Sequence, residues 1–248
     1  MSLPFIFIIV VLVLVCVLIL KLSKRKLLGV MGEACCSSIL RRLPKDKYNV
    51  INDVLIKHDK GTTQIDHIVV SVYGIFVIET KNYNGKIYGN DQSDNWTKSI
   101  YKNRFSFYNP IKQNYGHIKA IKNFLSLKDS SKIIGIVAFS NRATLKVHTE
   151  NNVVLFKRLK RTIKKYDKPL LSKEEVYEYT SALENVCDYS NKEKRAHVKE
   201  VKAKVRDKKK KIRKGICPFC GSKLKKKRGL KGYYYKCRNP HCSFTQTL

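Results

Sequence analysis

Asp66, Glu79 and Lys81 lie at the ends of two apolar runs, Ile68–Val72 and Ile75–Ile78, where a buried strand has no use for charge. Glu79 and Lys81 are two apart, so on a strand both project from one face. Asp66 opens the preceding run, and an antiparallel pairing through a turn at Tyr73-Gly74 brings it beside them. Two converging carboxylates repel, and each titrates high unless a divalent cation compensates them. Hard oxygen ligands with open water positions suit Mg²⁺, or Mn²⁺ in its place. An ion held by Asp66 and Glu79 polarises a phosphodiester oxygen and acidifies a bound water, while Lys81 orients that water or offsets transition-state charge. The plain alternative for Glu79 and Lys81 is a surface salt bridge at a strand end.

A second constellation sits near the C-terminus. Cys217, Cys220, Cys237 and Cys242 follow the spacing C-x₂-C-x₁₆-C-x₄-C. Two close pairs separated by a basic, aromatic hairpin fit four thiolates around one tetrahedral Zn²⁺. The last 34 residues are too few to bury a self-sufficient core, so the metal supplies the missing stability. Between the pairs, Lys225, Lys226, Lys227, Arg228 and Lys231 suit phosphate contacts, and Tyr233 or Tyr235 suits stacking on a base. The same tyrosines equally suit the core of so small a unit. The remaining cysteines, Cys16, Cys35, Cys36 and Cys187, form no framework that needs an oxidising compartment.

The charge balance agrees with a polyanionic partner. The formal net charge is +32, and Lys192–Leu248 alone holds 21 Lys and Arg against three acidic residues. Such self-repulsion favours nucleic acid or an anionic membrane face as the partner, without choosing between them. The basic linker over 191–214 suits anionic lipid as readily as DNA.

The elements that must position these residues follow from patterning. Leu3–Leu20 is uncharged and is followed by KLSKRK. At about 1.5 Å per residue it spans roughly 27 Å, so residues 1–22 read as an uncleaved transmembrane anchor with a cytoplasmic body. GEACCSSILRRLP reads as an amphipathic helix stopped by Pro44, and residues 48–56 as a strand ahead of the two apolar runs. YNGKIYG and NWTKSI read as short strands, 111–125 as a helix opened by Pro110, and 132–140 and NNVVLFK as strands. Residues 156–187 read as two helical pieces broken at Lys168-Pro169, the second capped by Ser172. On the helix over 111–125, Gln113 and His117 share a face. His117 taken alone reads as a packed or surface residue, and His67 points to the strand face opposite Asp66.

In order along the chain, GE (32–33), LP (43–44), NDV (52–54), GTTQIDHIVVS (61–71), GIFVIETKNY-GKIYG (74–89), Trp96 and NPIKQNYGHI (109–118) resemble the nuclease-related domain, NERD, of the restriction-endonuclease-like PD-(D/E)xK group. The resemblance covers residues 30–145 and implies a metal-dependent phosphodiesterase core. It puts Asp66, Glu79 and Lys81 at the active-site positions, adds Glu33 from the preceding helix, and likens Gln113 to a glutamine near the site in related nucleases. Ile65 stands where the wider group's name has proline, which is not a ligand. The C-terminal stretch, with its CPFCG, resembles the zinc ribbon of type IA topoisomerases, a domain that binds single-stranded DNA.

The expected fold is therefore α/β: a restriction-endonuclease-like mixed sheet flanked by helices, preceded by one transmembrane helix and followed by a small zinc ribbon. The expected divisions are 1–22 (anchor), 30–145 (nuclease-like domain), 146–190 (helical extension), 191–214 (basic linker) and 215–248 (ribbon). The expected function is a membrane-anchored, Mg²⁺-dependent endonuclease acting on DNA. The alternative is a non-catalytic protein that tethers DNA at the membrane.

Overall fold

The computed structural model describes residues 27–58, 61–186, 203, 205–229, 232–242 and 244–247. The chain divides into two compact units, one running to Asp188 and the other over Tyr189–Leu248.

The first unit begins with a helix over residues 27–40 (α1). It continues as β1 (Asn49–His58), β2 (Gly61–Ser71), β3 (Gly74–Lys81), β4 (Gly85–Asn90), β5 (Asn95–Ile100), β6 (Asn103–Tyr108), α2 (Pro110–Phe124), β7 (Ile133–Phe139), β8 (Ala143–His148), β9 (Asn152–Leu155), α3 (Phe156–Ile163) and α4 (Lys173–Asn185). The architecture is mixed α/β, with two sheets where the sequence suggested one: β1-β2-β3-β7-β9 and β6-β5-β4-β8. β2 and β3 pair antiparallel through the Tyr73-Gly74 turn, whereas β3-β7 and β7-β9 are parallel.

The central strands are buried on both sides, which is why they read as unbroken β-branched runs. Phe76, Ile78, Ile136 and Ala138 pack on one face with Cys36 and Leu40 of α1 and Phe156, Leu159 and Ile163 of α3. Ile68, Val70, Ile75 and Val77 pack on the other with Ala120 and Ile121 of α2 and Leu183 of α4. Burying each Val, Leu, Ile or Phe of these clusters fully contributes about 1.5–3 kcal/mol. Because β9, α3 and α4 complete this core, the region beyond residue 146 is part of the same unit. α4 carries the expected cap: Ser172 and Glu175 form a reciprocal capping box. A third cluster, Ile87, Trp96, Val137, Phe139 and Ala143, joins the two sheets.

One irregularity positions the site. Strand alternation puts residues three apart on opposite faces, yet Ile51 and Val54 of β1, and Ile65 and Ile68 of β2, all enter the same cluster. The β1-β2 pairing passes from Asn52↔His67 directly to Val54↔Ile65, and Asp53 takes φ 57°. A left-handed aspartate of this kind is tolerated because its short side chain bonds locally. The register is the same on both sides, so no residue is inserted on either strand; the break is confined to the facing positions Asp53 and Asp66.

The expected single-pass membrane localisation is corrected. Among the described residues, no helix is long and apolar enough to cross a membrane. A span needs about 20 apolar residues, and α2 has 15 and carries Lys112, Lys119 and Lys122. The expected anchor, residues 1–22, lies outside the described residues.

The second unit has a helix over residues 205–213 (α5), then β10 (Leu224–Gly229), β11 (Gly232–Cys237) and β12 (Thr245–Thr247), which form one three-stranded antiparallel sheet. Its core is Cys217, Leu224, Cys237 and Phe244, with Ile212 and Tyr235 packed against it. The linker residues 191–202 fall outside the described residues.

Candidate active site

The β2-β3 pairing ends at His67↔Ile78, so Asp66 and Glu79 lie just beyond it. Asp66 takes up the pairing with its side chain: the Thr80 amide donates to Asp66 Oδ2 at 2.8 Å. Glu79 is 3 % exposed, and both its oxygens are engaged. Lys81 Nζ donates to Oε1 at 2.6 Å, and His117 Nε2 faces Oε2 at 3.1 Å. Lys81 also donates to Gln113 Oε1 at 2.9 Å. Thr63 Oγ1 lies 2.9 Å from His117 Nδ1. An ionised Glu79 only accepts, so His117 Nε2 carries a proton towards it.

The electrostatics separate the two carboxylates. Burial, then the charge of Glu79, pushes Asp66 up to about 8, although the Thr80 amide opposes this. Burial would also raise Glu79, but the His117 hydrogen bond and the Lys81 ammonium outweigh it and hold Glu79 below the ordinary glutamate range. Burial alone would lower Lys81, but Glu79 overrides it and keeps the amine protonated. Burial, followed by the charges of Asp53 and Glu79, raises Glu33, which ties α1 to the same field. His67 is buried, meets Asn52 Oδ1 through Nδ1 at 2.7 Å, and is pushed by burial down to about 4.

Asp66, Glu79, Lys81 and Gln113 therefore come together, with Glu33 within electrostatic reach. All the acidic donors are hard oxygens, and the repulsion that raises Asp66 is what a divalent cation relieves, so the donor set fits Mg²⁺ or Mn²⁺. Glu33 does not join Asp66 and Glu79 in a tight three-ligand group: among the described residues, the cysteines alone form one. Sequence reasoning missed Thr63 and set His117 aside. The i, i+4 pairing of His117 with Gln113 was the signal for it, whereas Thr63 gave none.

In the second unit, the four thiol sulfurs lie within 4.8 Å of one another. Cys217 and Cys242 are 3.7 Å apart, and Cys220 and Cys237 are 3.3 Å apart. Zn–S bonds of about 2.3 Å give tetrahedral S···S edges of ~3.8 Å, close to these separations. Hydrogen bonds from Ser222 pull Cys220 down to about 6, while desolvation pushes Cys237 up to about 12. A cation is what lets all four ionise together.

The residues expected to contact nucleic acid spread over the β10-β11 hairpin. Lys226 Nζ lies 4.4 Å from the centre of the half-exposed Tyr233 ring, and Arg228 pairs with Tyr233 across the strands. Tyr235 packs against the core, and Lys231 lies outside the described residues. Lys225 and Lys227 join Lys236 and Arg238 in lining an open groove of about 580 Å³.

Residues 28–140 match the family model described as NERD, nuclease-related domain. An uncharacterized protein of Bacillus anthracis is 37% identical over 181 residues, which is 70% of this chain and 84% of that one. No solved structure matches the chain. A strand-end Asp66/Glu79/Lys81 cluster inside the matched region, together with a relative aligned over most of both chains, leads to one assignment: the chain belongs to the nuclease-related-domain family.

Proposed function

We propose that this protein hydrolyses phosphodiester bonds in DNA, with Mg²⁺ or Mn²⁺ held by Asp66 and Glu79. The observation that carries the reading is geometric: at one strand end Lys81 Nζ lies 2.6 Å from Glu79 Oε1 and 2.9 Å from Gln113 Oε1, beside an Asp66 held by the Thr80 amide at 2.8 Å. Two buried carboxylates converging beside one ammonium suit a dication better than they suit a simple structural salt bridge. The nuclease-related match over 28–140 and the helix-flanked mixed sheet support the restriction-endonuclease-like reading of the fold.

When bound, the cation supplies Lewis-acid polarisation and acidifies a coordinated water. The protein groups do the rest. Lys81, kept protonated by Glu79 and directed by Gln113, stabilises negative charge developing on the phosphoryl group. His117 fixes the rotamer of Glu79, and the Thr80 amide fixes Asp66. Glu33 adds negative potential from α1. The four cysteines hold Zn²⁺, and the lysines and Tyr233 of the β10-β11 hairpin grip the nucleic-acid strand.

The test compares wild type with Glu79→Gln, purified identically, on plasmid and on single-stranded DNA, with and without Mg²⁺ or Mn²⁺. Metal-dependent nicking by wild type alone is expected. Equal nicking by both proteins, or none by either with Mg²⁺ or Mn²⁺, overturns the reading in favour of a non-catalytic nucleic-acid-binding protein.

A further inference from the structure

We infer that Tyr83, Lys98 and Phe105 form a shelf for an unpaired nucleobase beside the reacting phosphate, so that the substrate carries a single-stranded segment at the cut. This rests on the reading of Glu79 and Lys81 as the reacting centre.

The shelf begins where the site ends. Tyr83 is two residues beyond Lys81, and its amide donates to the Lys81 carbonyl at 2.9 Å. The Tyr83 ring is wedged edge-on against Phe107 at 4.9 Å and tilted against Phe139 at 6.3 Å. From β5, Lys98 Nζ lies 4.7 Å from the centre of Tyr83 and 5.4 Å from that of Phe105. Lys98 and Phe105 are directly paired across β5 and β6. An ammonium thus bridges two aromatic rings that lead away from Lys81.

Phe105 is 49% exposed on β6, the edge strand of its sheet. An apolar ring in that position adds little to folding, yet it stands beside a positive charge. The β5–β6 segment NWTKSIYKNRFSFY carries Lys98, Lys102 and Arg104 and no acidic residue. Lys102 and Arg104, on a segment with no acidic residue of its own, suit a phosphate backbone, and an open aromatic face suits a base. Within a duplex the base faces are already stacked on each other; an unpaired base offers its face freely.

The shelf is also fixed relative to the site. Asn109, at the start of α2, donates to Ser93 O at 2.8 Å and Asn90 O at 3.1 Å in the β4-β5 loop. Lys112 pairs with Asp94 of the same loop at 2.6 Å. The helix that carries Gln113 and His117 is therefore tied to the hairpin that carries Lys98 and Phe105.

The experiment is photocrosslinking of the full chain, as Glu79→Gln to keep the strand intact, with a single-stranded oligonucleotide bearing one 5-bromouracil, mapped by mass spectrometry. Crosslinks within residues 83–108 are expected from the single strand and not from a blunt duplex of the same sequence. Phe105→Ala should lower their yield about tenfold, and Phe105→Trp should restore it. Crosslinks confined to other segments, a yield indifferent to Phe105→Ala, or equal yield from the duplex overturn the shelf. Nicking that depends on Glu79, without these crosslinks, overturns the shelf alone. Crosslinks without nicking overturn the catalytic reading and, with it, the placing of the shelf at a cut, while leaving its grip on an unpaired base.

Discussion

His117 Nε2 meets Glu79 Oε2 at 3.1 Å, and the other ring nitrogen meets Thr63 Oγ1 at 2.9 Å. The imidazole thus bridges α2 and two adjacent strands through one buried carboxylate. Removing it leaves a desolvated Glu79 oxygen without its donor, which costs about 1–3 kcal/mol. His117→Ala should lower stability by that amount in urea denaturation. Loss of an outer partner of a metal-ligating carboxylate typically costs about 10–100-fold, so metal-dependent cleavage should fall by that order. His117→Leu that is as stable and active as wild type would reduce the residue to packing.

This pair also shows what the sequence made legible. The hairpin of β2 and β3 was readable because its apolar runs are unbroken and a Gly turn joins them, and Glu79-x-Lys81 follows from the two-residue period. The approach of His117 from a helix 38 residues later is a tertiary fact, which the helical period suggests only as a shared face with Gln113. β6 escaped notice because NRFSFY is almost wholly exposed and has no buried face to impose alternation. β8 does alternate, but it has six residues of which only Ala143, Leu145 and Val147 are apolar, too weak a pattern to stand out. The switch of face near Asp53 and Asp66 depends on one left-handed residue and carries no distinctive pattern.

Stability without divalent cation should fall as pH rises from about 6.5 to 8. Asp66, raised from 3.8 to about 8, holds a proton in the folded state that the unfolded chain releases, so its stabilisation is present at low pH and lost towards pH 8. Glu33, also raised, acts in the same direction. His67 runs the other way: lowered from 6.5 to about 4, it costs stability as pH falls through that window and is silent above it. Glu79, lowered from 4.5, loses its contribution only in more acidic solution. Between 4 and 6.5 the slopes of His67 and Asp66 therefore oppose each other, and above 6.5 Asp66 dominates. A decline of about 1–2 kcal/mol is expected from a slope of up to about 1.4 kcal/mol per pH unit. Asp66→Asn should flatten it, and Mg²⁺ should reverse it by binding the ionised carboxylate. A wild-type stability curve that rises across this window would contradict the protonated Asp66.

The second unit should depend on its metal while the first does not. Cys217 is fully buried and Cys237 is 5% exposed, and among the described residues the buried core they share adds Leu224 and Phe244, with Ile212 and Tyr235 packed against it. So little buried apolar surface does not hold a sheet whose β10 carries Lys225, Lys226, Lys227 and Arg228 side by side. Four thiolates within 4.8 Å of one another repel unless a cation joins them. One equivalent of Zn²⁺ should copurify, and a strong chelator should unfold residues 205–247 while the Trp96 signal of the first unit keeps its own melting transition. Cys217→Ser combined with Cys237→Ser should abolish the bound Zn²⁺ and reproduce the chelated state. Amide protection in β10 and β11 that survives complete removal of the metal would show that the small core is sufficient, and would reduce the cysteines to ordinary buried thiols.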